Sequence, residues 1–304
     1  MRPDASLINS INVTEPRKAS LYFDVKRNTL DDGPGIRSVV FFKGCPLSCT
    51  WCQNPESINT GYELSFNAEK CIECGDCVSA CPEQAIDLTV PGHILRDKCT
   101  QCFKCVDVCP SGALEQIGRP TNDLEALAEE VLEDADFFEM SGGGLTVSGG
   151  EALMQMDSVG ELFQWVERMR DIHTLIQTAG LFNFSRFESL VLPHTNTIYF
   201  DLKLINSDDH LTYCGVKNEP IIENFKKVQA LALTTDLEVL PRVPLIPGVT
   251  DADDNPIWLD KLPRFGGTKR LDIGEQTAKF MSDAELDRCT EVFESRGISV
   301  HCHR

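Results

Sequence analysis

Residues 44–57 read Gly-Cys-Pro-Leu-Ser-Cys-Thr-Trp-Cys-Gln-Asn-Pro-Glu-Ser, and the rest of the chain is organised around them. Cys45, Cys49 and Cys52 stand in C-x3-C-x2-C spacing. A structural zinc takes four N or S ligands in a closed tetrahedron, so three thiolates leave it one short. The same three suit a [4Fe–4S] cube with one iron left open, since a cube otherwise takes four thiolates. An iron without its fourth protein ligand can coordinate something else, which makes a place for chemistry. Three ordinary loop cysteines are the alternative, and the flanks weigh against it. Phe41, Phe42, Lys43 and Gly44 end an apolar strand, and Trp51-Cys52-Gln53 sets an aromatic beside the last cysteine.

The surrounding composition fits that chemistry. A chain of 304 residues can bury a full core as one large domain or two modest ones. With 28 Lys and Arg against 47 Asp and Glu, the formal charge is 28 − 47 = −19, which argues against nucleic acid or an anionic membrane as partner. No run of apolar residues is long enough to span a bilayer. Residues 1–20 lack the apolar centre of a signal peptide and read as a mobile tail. Of the 14 cysteines, eleven lie between Cys45 and Cys109, a clustering that points to metal rather than disulfides. Exposed iron–sulfur centres imply a reducing, anaerobic cytoplasm.

Residues 67–117 form a unit of their own. Cys71, Cys74, Cys77 and Cys81-Pro82 are spaced C-x2-C-x2-C-x3-C-P, and Cys99, Cys102, Cys105 and Cys109-Pro110 repeat the run. This is the bacterial two-cluster ferredoxin pattern, in which the fourth cysteine of each run ligates the other cluster. The expected sets are Cys71, Cys74, Cys77 with Cys109, and Cys99, Cys102, Cys105 with Cys81. Two zinc ribbons are the alternative reading. So short a segment builds little core, so its metal must hold it together.

Outside that unit, strands and helices alternate. Strands are expected over Leu21–Lys26, Ser38–Lys43, Leu145–Ser148, His173–Thr178, Thr197–Leu204, Leu237–Leu245 and Arg270–Ile273. Helices are expected from a cap at Thr121, Asn122 or Asp123 to Phe138, and over Asp157–Asp171, Asn183–Leu192, Pro220–Ala232 and Ser282–Arg296, with a short one around Leu259. Such alternation means an α/β fold with a mainly parallel sheet. Periodicity alone leaves a barrel and an open doubly wound sheet equally open.

The cysteine loop, with its aromatic-Cys-x-Asn flank, resembles the radical S-adenosylmethionine signature. The preceding Asp32-Gly33-Pro34-Gly35-Ile36-Arg37 narrows the resemblance to activating enzymes of glycyl radical enzymes, the pyruvate formate-lyase activating enzyme among them. It runs from about Leu21 to Val249. It implies a partial (β/α)6 barrel, residues 21–66 and 118–304, carrying a 2[4Fe–4S] ferredoxin insert at 67–117. It implies that the Cys45/Cys49/Cys52 cluster chelates S-adenosylmethionine and that one electron splits it to methionine and a 5′-deoxyadenosyl radical. That radical removes hydrogen from a glycine of a partner enzyme. Three [4Fe–4S] clusters are expected in all, with the insert relaying electrons from a flavodoxin or ferredoxin.

The resemblance also implies cofactor contacts. Trp51, Cys52 and Gln53 belong to the loop. Gly149-Gly150-Glu151 looks like the element that holds the amino end of the cofactor, and Asp201-Leu202-Lys203 like the family's Asp-x-Lys. Arg242, an arginine within an apolar strand, needs a partner, and the cofactor carboxylate is one candidate. The C-terminal part departs from the family. No Leu-Pro-aromatic-His element follows Leu271-Asp272-Ile273, so the adenosine contact is unassigned, and His301 and His303 read as chain-end residues. Cys214, Cys289 and Cys302 read as free thiols. Two other classes stay open: a radical enzyme acting on a small molecule or peptide, and a plain iron–sulfur electron carrier.

Overall fold

The computed structural model describes residues 20–121, 123–244, 249, 270–273 and 299–302. Its strands are β1 (Ser20–Thr29), β2 (Arg37–Phe42), β3 (Glu63–Phe66), β4 (Leu114–Ile117), β5 (Arg119–Thr121), β6 (Gly144–Gly149), β7 (His173–Thr178), β8 (Thr197–Asp201), β9 (Glu238–Arg242), β10 (Arg270–Ile273) and β11 (Ser299–Cys302). Among the described residues one nine-stranded sheet runs in the order β11-β10-β9-β8-β7-β6-β2-β1-β5. From β2 across β6 to β11 every pairing is parallel, and β1 and β5 add an antiparallel edge. The fold is α/β with a mostly parallel sheet. No described helix is long and apolar enough to cross a membrane.

Residue alternation explains why the two faces of this sheet differ, since successive side chains point to opposite sides of a strand. One face carries Val40, Phe42, Leu145, Val147, Ile176, Ile198, Phe200 and Val239, all buried in the main core. Helices α3 (Leu124–Leu132), α5 (Met156–Met169), α6 (Phe184–Leu190) and α8 (Glu219–Ala232) cover it with Leu127, Val131, Leu162, Phe163, Phe187 and Phe225. The other face has a small apolar layer of Leu175, Tyr199 and Leu240. By the same alternation, Thr146, Ser148, Gln177, Asp201 and Arg242 share this second face. A buried parallel sheet normally reads apolar on both sides. Polar groups on one of them mark where it meets something other than a helix.

The Asp32–Arg37 element ties down the N-terminal edge of that face. Arg37 is fully buried and donates to Thr146 Oγ1 at 2.7 Å, Leu145 O at 2.7 Å, Pro34 O at 3.1 Å and His173 O at 3.3 Å. Gln177 Nε2 donates to Asp32 Oδ1 at 3.1 Å, and Ser148 Oγ donates to Gln177 Oε1 at 2.8 Å. Burial pulls the Arg37 guanidinium down to about 10. This motif therefore binds strands β2, β6 and β7 together: Arg37 holds their N-terminal ends, and Asp32 reaches along the face to Gln177, one residue before the end of β7.

The expected long helix ending at Phe138 is two helices, α3 and α4 (Ala135–Ser141). Asp123 caps the first, accepting from Ala126 N at 3.0 Å. The break falls at Asp134, which is 4% exposed and accepts from Arg27 Nε and Nη2, each at 2.6 Å. A fork-to-fork ion pair of this kind is worth more than one more helical hydrogen bond. Helix α7 (Ser207–Cys214) was not expected from the pattern, because Ser-Asp-Asp-His-Leu-Thr-Tyr-Cys has almost no apolar period. Its cap is plain afterwards: Asn206 Oδ1 accepts from Asp208 N at 2.9 Å and Asp209 N at 3.2 Å. The helices expected around Leu259 and over Ser282–Arg296, and the tail before residue 20, lie outside the described residues.

The cysteine-rich segment stands on a second, two-stranded sheet, β3 against β4. The pair begins at Glu63, four positions before the boundary expected at residue 67. Between the strands lie α1 (Asp76–Ala80) and α2 (Lys104–Asp107). A small core of Leu64, Ile86, Ile94, Cys105 and Leu114 is packed by Cys77, Cys81, Cys99 and Cys109. Here the cysteines are themselves part of the core.

Candidate active site

In a parallel sheet all C-terminal strand ends lie on one edge, and α/β proteins bind ligands there. The cysteine loop leaves β2 at this edge, and every other expected cofactor element ends there too. Gly149-Gly150 leaves β6, Thr178-Ala179-Gly180 leaves β7, Asp201-Leu202-Lys203 leaves β8, and Arg242 ends β9. The run Ser141–Gly144 instead enters β6 at the opposite edge. It packs there on backbone: a Cβ at Gly143 would lie 1.7 Å from Ile36 O.

Backbone hydrogen bonds hold the loop. Gly44 N donates to Ser57 O at 2.6 Å and Cys45 N to Ile58 O at 3.0 Å; Ser48 N and Thr50 N donate to Cys214 O and Tyr213 O at 2.9 Å each. The last two dock the stretch around Cys49 onto the end of α7. The sequence pattern does not mark Tyr213 and Cys214 as site residues, because the helix that presents them leaves no periodic trace. Gly150 N donates to Phe42 O at 3.0 Å and Glu151 N to Gly44 O at 2.7 Å. A Cβ on Gly149 would sit 2.0 Å from Phe42 O, and one on Gly150 would sit 2.4 Å from Gly44 O. Both glycines are thus required by the protein's own backbone before any ligand is considered.

Two expected contacts are placed otherwise than the sequence reading supposed. Glu151 is fully buried and turns inward. Its carboxylate accepts from Thr178 Oγ1 at 2.8 and 2.9 Å, Ala179 N at 2.8 Å and Leu153 N at 3.1 Å. It staples the β6 exit to the β7 exit, and burial pushes its carboxyl up to about 7. Leu202 is 1% exposed and its side chain lies in the main core; only its amide reaches the edge, donating to Arg242 O at 2.8 Å.

Asp201, Lys203 and Arg242 come together as one group. Lys203 Nζ donates to Asp201 Oδ2 at 2.9 Å and Arg242 Nε to Asp201 Oδ1 at 2.7 Å, while the Arg242 guanidinium lies 5.2 Å from the Tyr199 ring centre. Burial alone would raise the Asp201 carboxyl, but Arg242 and Lys203 outweigh it and hold it at about 2. A near neighbour of this group is Cys49, whose thiol a hydrogen bond from Cys214, then the Lys203 charge, hold below the ordinary thiol value against the opposing effect of burial. Burial pushes the Cys45 thiol up to about 11. Trp51 packs on Tyr213 at 6.1 Å between ring centres, and its Nε1 is buried with no hydrogen-bond partner. Gln53 is exposed.

In the second unit, Cys71, Cys74, Cys77 and Cys109 line one cavity, with Ile72, Phe66 and Leu114 among the other walls. Cys81, Cys99, Cys102 and Cys105 line another, with Leu64, Ile86 and Phe103. Each cavity thus takes three cysteines from one run and the fourth from the other.

These features define an α/β protein with three cysteines at the ligand edge of its sheet and a separate eight-cysteine unit. Comparison with known proteins narrows the class. A family model described as a 4Fe-4S dicluster domain matches residues 70–113. The trans-4-hydroxy-L-proline dehydratase activating enzyme of Clostridioides difficile is 39% identical over 77% of this chain and 76% of its own. The pyruvate formate-lyase 2-activating enzyme of Escherichia coli is 37% identical over 81% of this chain and 74% of its own. Among solved structures, a domain of pyruvate-formate lyase-activating enzyme from Bacteroides vulgatus aligns at TM-score 0.45 and 24% identity, covering 53% of this chain and 98% of that one.

The chain belongs to the activating enzymes of glycyl radical enzymes. It is a radical S-adenosylmethionine activase, with an iron–sulfur cluster and S-adenosylmethionine as cofactors and a glycyl radical enzyme as partner. The residues present fit such groups. Three thiols share the sheet edge with a half-buried cluster of both charge signs, and Trp51, in the same loop, carries a buried indole N–H without a hydrogen-bond partner.

Proposed function

We propose that Cys45, Cys49 and Cys52 hold the cluster at which S-adenosylmethionine is cleaved. The observation that carries this is their convergence, on one sheet edge, with Asp201, Lys203 and Arg242. Bound there, the cluster would supply the one electron that splits the cofactor, and the resulting 5′-deoxyadenosyl radical would take a hydrogen from the partner's glycine. The chain's own part is positional, as expected where a cofactor carries the chemistry. Lys203 and Arg242, balanced by Asp201, present two cations and one anion to a ligand bearing a carboxylate, an ammonium and a sulfonium. Backbone at Gly149-Gly150 approaches the loop without a side chain in the way. Glu151 acts one step back by fixing the β7 exit. Trp51 offers an unpartnered indole N–H donor from the same loop.

The sheet is read as a partial (β/α)6 barrel formed by residues 21–66 and 118–304, and 67–117 as a ferredoxin-type insert on the β3–β4 stem. We assign one [4Fe–4S] cluster to Cys71, Cys74, Cys77 and Cys109, and another to Cys81, Cys99, Cys102 and Cys105, giving three in all. The cysteine-lined cavities support that pairing. A flavodoxin or ferredoxin in the cytoplasm would be the electron source. The test is anaerobic: reconstituted protein, S-adenosylmethionine and a reductant are mixed with a candidate partner enzyme. A glycyl radical EPR signal on that partner is expected. Cofactor cleavage without radical transfer to any glycyl radical enzyme would favour a small-molecule or peptide substrate instead.

A further inference from the structure

The two cysteine runs of the insert align position by position in sequence, and one of the four positions at which the aligned stretches differ is revealing. Cys71-Ile72-Glu73-Cys74-Gly75-Asp76-Cys77 matches Cys99-Thr100-Gln101-Cys102-Phe103-Lys104-Cys105. In each run the residue just before the short helix is left-handed: Gly75 at φ 82° before α1, Phe103 at φ 57° before α2. Glycine adopts that conformation freely, whereas for a bulky side chain it is a costly outlier. Nothing lies within 4 Å of a Cβ built at Gly75, so the fold of the repeat does not itself call for a side chain there. A strained residue that persists where a glycine would serve points to a function.

The contacts of Phe103 say what that function is. Its ring lines the cavity of Cys81, Cys99, Cys102 and Cys105, and meets the Tyr62 ring edge-on at 6.1 Å and 74°. Tyr62 lies at the base of the β3–β4 stem. A Cβ at Gly118 would touch both Tyr62 Cδ1 and Lys43 Cδ at 3.2 Å, so those two side chains flank the point where the chain returns to the main sheet. Lys43 is 1% exposed and donates to Glu56 O at 2.6 Å and Glu63 Oε2 at 3.2 Å. The next residues are Gly44 and Cys45. A line of neighbouring groups therefore runs from the second cavity through Phe103 and Tyr62, past Gly118, to Lys43 and the start of the cysteine loop.

The first cavity is on the far side. Its walls include Phe66 and Leu114, which pair at the outer end of the stem, while Glu63 and Ile117 pair at the base. Leu64, on the second cavity, is two residues nearer the base than Phe66, roughly 6–7 Å along the strand. One cysteine is exposed at each cavity, Cys74 at the first and Cys102 at the second, but only the first also exposes a large apolar side chain, Ile72, at 64%.

We propose that Phe103 and Tyr62 are positioning residues that couple the Cys81/Cys99/Cys102/Cys105 site to the catalytic loop, which makes that site the inner station and the Cys71/Cys74/Cys77/Cys109 site the outer one, facing a protein reductant. This rests on the three-cluster reading above. The electron balance is simple. The reduced protein donor loses one electron, the cofactor's sulfonium gains it as its C5′–S bond breaks, and no proton moves between the stations.

The test uses reconstituted holoprotein with S-adenosylmethionine bound. Freeze-quenched EPR follows the signal that the cofactor perturbs, which reports reduction of the catalytic site without turnover of a partner. Phe103→Gly, Phe103→Tyr and Tyr62→Leu are compared with the parent, using reduced flavodoxin or dithionite as reductant. Phe103→Gly and Tyr62→Leu should keep their iron and fill the signal normally with dithionite, which can reach the loop directly. With flavodoxin they should fill it at least about tenfold more slowly, equivalent to a barrier raised by one decade in rate. Phe103→Tyr should restore the rate. Full iron with an unchanged flavodoxin rate in both variants would overturn the coupling, and loss of inner-site iron in both would reduce the contact to a structural cap. The order has its own arm. Cys102→Ala should let flavodoxin reduce the outer site while the catalytic signal stays empty. If instead Cys74→Ala behaves that way, inner and outer are reversed. A parent protein holding only about four irons would sink the three-cluster reading itself, a result distinct from any of these.

Discussion

The main sheet and the insert hold their cysteines in opposite ways. Cys45, Cys49 and Cys52 ride on a loop that finished structure supports from every side: strand exits at Gly150 and Glu151, the end of α7, and a core of some thirty apolar side chains beneath the sheet. The insert has one core cluster of five buried residues, one of them Cys105, with four further cysteines packed on it, and beyond it buries only Ala85 and Ala113. In the first region the protein holds the site. In the second the site must hold the protein, because so few apolar groups cannot offset the entropy of ordering about fifty residues.

The largest expected effect separates the two regions by removing iron. Chelation of the reconstituted protein should abolish amide-exchange protection over residues 63–117 while β6, β7 and β8 stay protected. Retained protection in the insert would show that its small core suffices, and the contrast would fail. Next comes the loop. Cys45→Ala, Cys49→Ala and Cys52→Ala combined should remove about four irons of about twelve and all S-adenosylmethionine cleavage, with the sheet's circular dichroism unchanged. Persistent cleavage would move the catalytic site elsewhere.

The cofactor edge gives a smaller effect. Lys203→Ala removes one charged contact, typically worth about 1.5–3 kcal/mol, or roughly ten- to hundredfold in affinity. Cofactor titration followed by EPR should show that loss with full iron content; unchanged affinity would take Lys203 out of the site. The last comparison sets one glycine against another. Gly150→Ala drives a methyl to 2.4 Å from Gly44 O and 2.9 Å from Ser57 O, both backbone atoms that cannot swing aside. Overpacking of that kind costs about 1–3 kcal/mol and should lower the thermal midpoint and loosen the loop's iron. Gly112→Ala in the insert meets nothing within 4 Å and carries only its left-handed backbone, φ 64°. It should cost about 1–2 kcal/mol and leave the catalytic iron in place. Equal iron loss from the loop in both would mean that the two regions are not independently supported.

Sequence alone determined the features that depend on local spacing. The C-x3-C-x2-C loop, the two C-x2-C-x2-C-x3-C-P runs, and strand limits such as His173–Thr178 and Arg270–Ile273 follow from chemistry written within a few residues. The α/β class and the family were legible for the same reason. Tertiary structure decided what those residues face. Sequence spacing cannot report that Glu151 spends its carboxylate on Thr178 and Ala179, since the partners lie 27 and 28 positions away. Nor can it report that Asp201 gathers Lys203 and Arg242 into one ion group, that Asp134 breaks a helix to reach Arg27, or that an almost unpatterned α7 cradles Cys49. Most of these are polar contacts between distant positions, and those that are buried are strengthened by it; burial belongs to the fold rather than to any stretch of the chain.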